Sequence, residues 1–276
     1  MDLVGPSFLS CPPIRLERIR TRSGHGERLI TLALTGISLA VVRDVLQFLA
    51  ASKPQSRKIL SLGYPDMLVP FSLIQELFGA DIARNVEYRP DSESILRWHG
   101  LANSIDKIVE AKHFFSLLGY DLAIADISPA RGDEIILDLN MPCPEKMHQE
   151  YALVIDGGTL EHCFNIAQAM KNIASMVAQG GWIVQGNPIN WYDHGFYNLN
   201  PAFYFEFYGK NGFSVEFFKI VTNPHNPQIF DLPSSGRLEG LPDRCTNLLA
   251  VVRKEIVDIA WPIQTKYIEN PTLKGS

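Results

Sequence analysis

Residues 58 to 69 read KILSLGYPDMLV, and the reading of the whole chain turns on them. Ile59, Leu60 and Leu62 are apolar, and Gly63 then opens a turn, as the first strand and loop of a nucleotide-binding βαβ unit do. A dinucleotide loop would continue with two more glycines, in the pattern G-x-G-x-x-G. Here Tyr64, Pro65 and Asp66 follow instead. The missing glycines count against NAD or FAD, whose pyrophosphate needs close backbone approach. A single glycine still lets the chain turn beneath a different ligand, because it accepts positive φ and has no side chain.

Beyond that loop, strands and helices alternate. YDLAIADIS (120–128), EIILDLN (134–140), YALVID (151–156) and WIVQGN (182–187) read as buried strands. Ser72 and Gln75 form a capping-box pattern opening a helix that Gly79 closes. A longer helix is predicted from Ser104 to Gly119, with Ile105, Ile108, Val109, Lys112 and Phe115 on one face. Asn165 and Gln168 can cap the next, whose stripe is Ile166, Met170, Ile173 and Val177. Gly180 and Gly181 turn into the strand that follows. Asn200-Pro201 starts another helix, stopped at Gly212. FSVEFFKIV and TNLLAVVRK close the series with no helix between them, which implies an antiparallel strand at the sheet edge. Upstream, residues 29 to 51 fit one or two helices, with Val41, Val45 and Phe48 on a common face. The expected fold is therefore α/β: a mostly parallel sheet with helices on both faces and an N-terminal helical extension. In such sheets the ligand lies beyond the carboxyl ends of the strands. Gly63, Asp126, Asp138 and Asp156 all fall at those ends.

Composition bounds the function. The chain has 276 residues, 46% hydrophobic and 20% charged, as in ordinary globular proteins. A net charge of −5 argues against general nucleic-acid binding. The basic stretch Arg15, Arg18, Arg20, Arg22 and Arg28 is local, and reads as a solvated arm or subunit-docking surface. Cys11, Cys143, Cys163 and Cys245 form no C-x-x-C pair and suit a reducing compartment. No membrane span or secretory signal is evident, and a cytoplasmic location is expected.

The segments YALVIDGGTLEHCFNIAQAMKNIASMVAQGGWIVQGNP (151–188) and NPAFYFEFYGKNGF (200–213) carry a resemblance. Over residues 55 to 253 the chain resembles the class I S-adenosylmethionine-dependent methyltransferases, most of all methyltransferase-like proteins of glycan and natural-product pathways. That resemblance implies a Rossmann-like domain over 55–276, preceded by an arm and helices at 1–54. It implies S-adenosylmethionine as cofactor and a small-molecule acceptor, a hydroxyl of a sugar or secondary metabolite. It also implies cofactor contacts from Gly63 and Asp66, Asp126 and Ile127, Asp138 and Leu139, and Asp156 and Gly157.

Three features depart from the family pattern. Tyr64 and Pro65 narrow the first loop. Some 60 residues separate Gly63 from Asp126, where about 20 are usual before the ribose-binding acid. Residues 80–118 thus read as an insertion, with a helix suited to a lid or a homo-oligomer surface, and Glu87 is the rival ribose ligand by spacing. SPARGDE (128–134) is too short for the usual parallel crossover.

For the chemistry, His194 and His162 are the candidate bases, since an imidazole titrates close to neutrality. Asp193 could orient a partner, and Trp191, Tyr192 and Tyr197 are candidate substrate contacts, flat faces with polar tips. No metal is expected: the sequence has no H-E-x-x-H or equivalent ligand cluster. The alternative is a non-catalytic methyltransferase-like subunit that binds a protein partner, favoured if Tyr64 fills the methionine position.

Overall fold

The computed structural model describes residues 33–34, 36–52, 56–129, 131–222, 228–232 and 241–269. The basic N-terminal stretch, Cys11 and much of the 223–244 loop lie outside the described residues.

The sheet grows outward from the opening segment. Strand β2 (Lys58–Leu62) is buried from Ile59 onward. It runs parallel to β4 (Asp121–Asp126) on one side and β6 (Tyr151–Asp156) on the other. β5 (Ile135–Ile136) pairs with β4, and β7 (Val177–Pro188) with β6, both parallel. β10 (Thr246–Arg253) inserts antiparallel between β7 and β8 (Phe213–Val221), and β9 (Ile229–Phe230) lies antiparallel at the edge. The order is β5-β4-β2-β6-β7-β10-β8-β9. This is the expected Rossmann-like sheet, with antiparallel strands near the C-terminus. A separate two-stranded parallel ladder joins β1 (Ala33–Leu34) to β3 (Asp66–Met67).

The two-residue period of the strands divides the core in two. Ile59, Ile155, Val184 and Ala250 face one side; Leu60, Val154, Ile183 and Leu249 face the other. The first side is covered by α1 (Gly36–Ser52), α2 (Phe71–Phe78), α3 (Ala80–Asn85), α4 (Ser92–Trp98) and α5 (Ala111–Leu117). The second is covered by α6 (Ile166–Met176) and α7 (Pro201–Lys210). A short α8 (Thr265–Glu269) follows the last strand. No helix among the described residues is long and apolar enough to cross a membrane.

Several local expectations hold and others need correction. Asn165 and Asn200 cap α6 and α7 by accepting from Gln168 N and Ala202 N. The capping box at Ser72 does not form: α2 starts one residue earlier, with Pro70 as N-cap and no side-chain cap bond. The helix expected from Ser104 is only α5, capped by Glu110, whose carboxylate accepts from Lys112 N and His113 N. Upstream of it Val109 forms isolated bridges to Met67 and Tyr88, the extended state that β-branched residues favour. Segment 80–118 forms three short helices, and Ala83, Leu96, Ile108, Phe114 and Phe115 bury in the same core as α1. Of EIILDLN only Ile135 and Ile136 join the sheet. They pair with Ala125 and Asp126, the end of β4, so the connecting loop retraces only a residue or two and no helical crossover is required.

β7 begins at Val177 rather than Trp182, and its pairing to β6 slips between Tyr151 and Leu153. Gly181 sits at that irregularity. A Cβ there would lie 2.9 Å from Ala178 O and from Val177 Cγ1, and 3.1 Å from Ala152 O. Gly181→Ala is therefore expected to cost about 1–3 kcal/mol, the usual range for overpacking. At Gly186 the nearest atom to a Cβ is 3.8 Å away, so Gly186→Ala is the control. Equal denaturation midpoints for the two variants would contradict this account.

Candidate active site

The carboxyl ends of β2, β4, β5 and β6 surround a cavity of about 250 Å³. Gly63 lines it from the loop after β2, where φ is +80°. A bond from Gly63 N to Ala125 O, 2.7 Å, ties that loop to β4. Asp126 and Ile127 line it from the end of β4, and Leu137 to Asn140 from the segment after β5. Gly158, Thr159, His162 and Cys163 close it from the turn after β6. Two carboxylates, Asp126 and Asp138, thus share the lining with the apolar side chains of Leu62, Ile127, Leu137 and Leu139. The Cys163 thiol is pushed up to about 12, by burial first and then by Asp156, so it stays protonated and unreactive.

Tyr64 does not line this cavity. Its hydroxyl donates to Glu110, and its ring lies under the Arg131 guanidinium, 3.6 Å from the centroid. Burial and the Glu110 bond both raise its phenol pKa. Asp66 and Gly157 are also absent from the lining. Asp66 is paired with the buried Arg89, and its other carboxylate oxygen lies 3.1 Å from His99 Nε2. Glu87, the rival ribose acid, is exposed beside His113 at 3.7 Å and lies outside the lining as well.

Asp156 is fully buried beneath the turn rather than facing the cavity. One oxygen accepts from the backbone N–H groups of Gly158, Thr159 and Leu160, and the other from Gln185 Nε2 and Asn187 Nδ2, both at 3.0 Å. Burial, then the neighbouring Glu161, holds its carboxyl above the ordinary carboxylate value. Gln185 and Asn187 are held in turn by the hydroxyls of Tyr208 and Tyr204, one helical turn apart on α7. Burial raises both phenols well above their usual value.

This network ends at Glu161, which is 1% exposed and accepts from Asn187 Nδ2 at 3.0 Å. Its other oxygen lies 3.4 Å from His194 Nε2 and 4.0 Å from His162 Nε2. Loop 189–198 is clamped onto Glu161 by a bond from Phe196 N to Glu161 O, 2.9 Å. A Cβ at Gly195 would meet Glu161 Cγ and O at 2.9 Å, so only glycine allows the approach that delivers His194. The rings of His162 and His194 are 4.9 Å apart, and Trp191 packs 4.7 Å from His194.

The fold thus joins His162 and His194, expected as separate candidates. The group beside His194 is Glu161, not Asp193, which is exposed at φ +51°. Trp191 donates to Cys245 O and Tyr197 to Phe164 O, while Tyr192 is 98% exposed; none of the three lines the cavity. Glu161, Gln185, Asn187, Tyr204 and Tyr208 were not singled out in the sequence. The available signal was a pair of carboxamides, Gln185 and Asn187, at alternate positions of an apolar strand.

No family model matches the chain, and no protein of curated function matches it. Among solved structures it is similar to TehB from Haemophilus influenzae, with 13% identity and a TM-score of 0.38, over 77% of this chain and 62% of that one. It is similar to the branched-chain polyamine synthase from Thermus thermophilus, in complex with N4-aminopropylspermidine and 5'-methylthioadenosine. There the identity is 12% and the TM-score 0.38, over 79% and 57%. A third is the 16S rRNA (adenine(1408)-N(1))-methyltransferase from Catenulisporales acidiphilia, with 10% identity and a TM-score of 0.35, over 87% and 100%. The chain spans less than two thirds of the first two proteins. Likeness at this level concerns chain layout alone.

Proposed function

We propose that the protein transfers a methyl group from S-adenosylmethionine to a hydroxyl of a small molecule, a sugar or secondary metabolite. The observation that carries this reading is the cavity at the strand ends, where Gly63, Asp126 and Asp138 share one wall with the Glu161–His162–His194 cluster beside them. The donor set fits the cofactor. Asp126 offers a carboxylate to ribose hydroxyls, and Ile127, Leu137 and Leu139 offer an apolar slot for adenine beside Asp138. Gly63 keeps the floor free of a side chain. The turning of Tyr64 toward Glu110 leaves that floor open and removes the feature that would have favoured a non-catalytic subunit.

When bound, the cofactor would supply an electrophilic methyl group on a sulfonium, with a neutral thioether as the leaving group. The residues of this chain hold the two reactants together and manage the acceptor's proton. Positioning can account for much of the acceleration, about 7–11 kcal/mol in well-oriented systems. His162, which lines the cavity, meets the hydroxyl, and the proton leaves to solvent through the His162–His194 pair, backed by Glu161.

Calorimetric titration with S-adenosylmethionine and S-adenosylhomocysteine tests the reading. Hydrogen bonds to a charged acceptor contribute about 1.5–3 kcal/mol. Asp126→Ala is therefore expected to weaken binding roughly 10- to 100-fold, whereas Glu87→Ala leaves it unchanged. Failure of either compound to bind the intact protein would sink the proposal. Loss confined to Glu87→Ala would move the ribose site.

A further inference from the structure

We propose that Glu161, His162 and His194 bind a divalent first-row transition cation at the side of the cleft. One ligand atom from each of the three lies within 4.8 Å of the others. The two imidazole nitrogens face the same carboxylate oxygen, at 3.4 and 4.0 Å. Both separations exceed the roughly 2.7–3.2 Å of a good N–H···O bond, so neither imidazole is held by a normal hydrogen bond to Glu161. They do suit a shared ion. Zinc bonds to nitrogen and oxygen of about 2.0–2.2 Å set neighbouring tetrahedral ligands roughly 3.3–3.5 Å apart. His194 and Glu161 already stand at that spacing. His162, with its side chain 39% exposed, needs to close on Glu161 by only a fraction of an ångström.

The surroundings are those of a built site. Metal-binding groups are usually oriented by partners behind them. Here Asn187 Nδ2 fixes the far oxygen of Glu161, and the Tyr204 hydroxyl fixes Asn187 at 2.8 Å. Gly195 and the Phe196 N–H lock the His194 loop against Glu161. Two imidazoles and one carboxylate favour a transition cation over magnesium or calcium, which prefer oxygen ligands alone. Three protein ligands leave a coordination position open. His162 lies on the cavity wall, so an ion held by it would sit beside the cleft.

The binding claim stands by itself; the catalytic role rests on the reading above and refines it. An acceptor hydroxyl at the open position would hold its proton less tightly, as a metal-bound water does, and the proton would leave to water. His194 then acts through the cation it ligates instead of taking the proton on its own nitrogen.

The test uses the full, untagged chain, stripped with chelator and titrated with cobalt(II), read by visible absorption and by calorimetry. One equivalent is expected to bind. His162→Ala and His194→Ala should each weaken binding at least about tenfold, since even losing a group behind a ligand costs 10–100-fold. The exposed His162 makes the first variant safe for folding, and Glu161→Gln provides a third. No cobalt binding, or binding unchanged in both histidine variants, overturns the proposal. S-adenosylmethionine affinity is measured in parallel with chelator present. Cofactor binding without cobalt binding rejects the metal site and keeps methyl transfer; cobalt binding without cofactor binding does the reverse.

Discussion

His194→Ala is expected to slow single-turnover methyl transfer by about 10²–10⁴-fold, the range for losing acid–base assistance at a reacting hydroxyl. Cofactor affinity should stay nearly constant, because His194 does not line the cavity. Its ring instead packs between Trp191 and His162, with Nε2 toward Glu161. His162→Ala should differ in kind. That side chain is part of the cavity wall, so both cofactor affinity and turnover are expected to fall. Measuring methyl transfer and cofactor binding side by side in the two variants separates these roles. Full activity in His194→Ala would remove the cluster from the reaction and leave positioning as the source of rate.

Asp156→Ala should have the largest effect on folding. The substitution strips five donors of their acceptor: three backbone N–H groups of the turn after β6 and the amides of Gln185 and Asn187. Each buried donor left unsatisfied costs about 1–3 kcal/mol, less whatever relaxation recovers. A net loss of about 3–5 kcal/mol is expected once relaxation has recovered much of that cost. That is a large share of the roughly 5–15 kcal/mol that holds a typical domain folded. Asp156→Asn should be milder. It keeps an acceptor for the turn, and its amide group can be accommodated if Gln185 reverses and the Tyr208 hydroxyl rotates to accept, while Asn187 keeps its bond to Glu161 and loses one acceptor. Denaturant unfolding of both variants checks this. A loss below about 1 kcal/mol in Asp156→Ala, at the scale of one net hydrogen bond, would mean that the turn is held by packing instead.

Asp156 also shows where reading the sequence stops. It stands at a strand end like Asp126, and the two are indistinguishable by position. Their environments differ. Asp126 lines the cavity, whereas Asp156 is covered by residues more than 25 positions downstream, Gln185 and Asn187. Only the pairing of β6 with β7 brings those residues over it.

The sequence by itself determined the main strands of the sheet, but not their order or the extent of β5 and β7. Its strands are local apolar runs, and the alternation of side chains is a property of the extended backbone that needs no tertiary information. The helix ends at Asn165 and Asn200 were equally local, since a cap bonds within three residues of itself. The helix expected over 104–119 failed because Val109 found partners in Met67 and Tyr88, and helical period alone does not reveal such partners. The candidate site divides the same way. Gly63, Asp126 and Asp138 were legible because the end of a parallel strand fixes where a residue sits. The cluster of Glu161 with His194 was not legible. It depends on a loop 33 residues away folding back onto one carboxylate, and on Gly195 having no side chain to prevent it. Neighbours in sequence share a position by covalent connection; residues this far apart meet only where the packed fold leaves room for both.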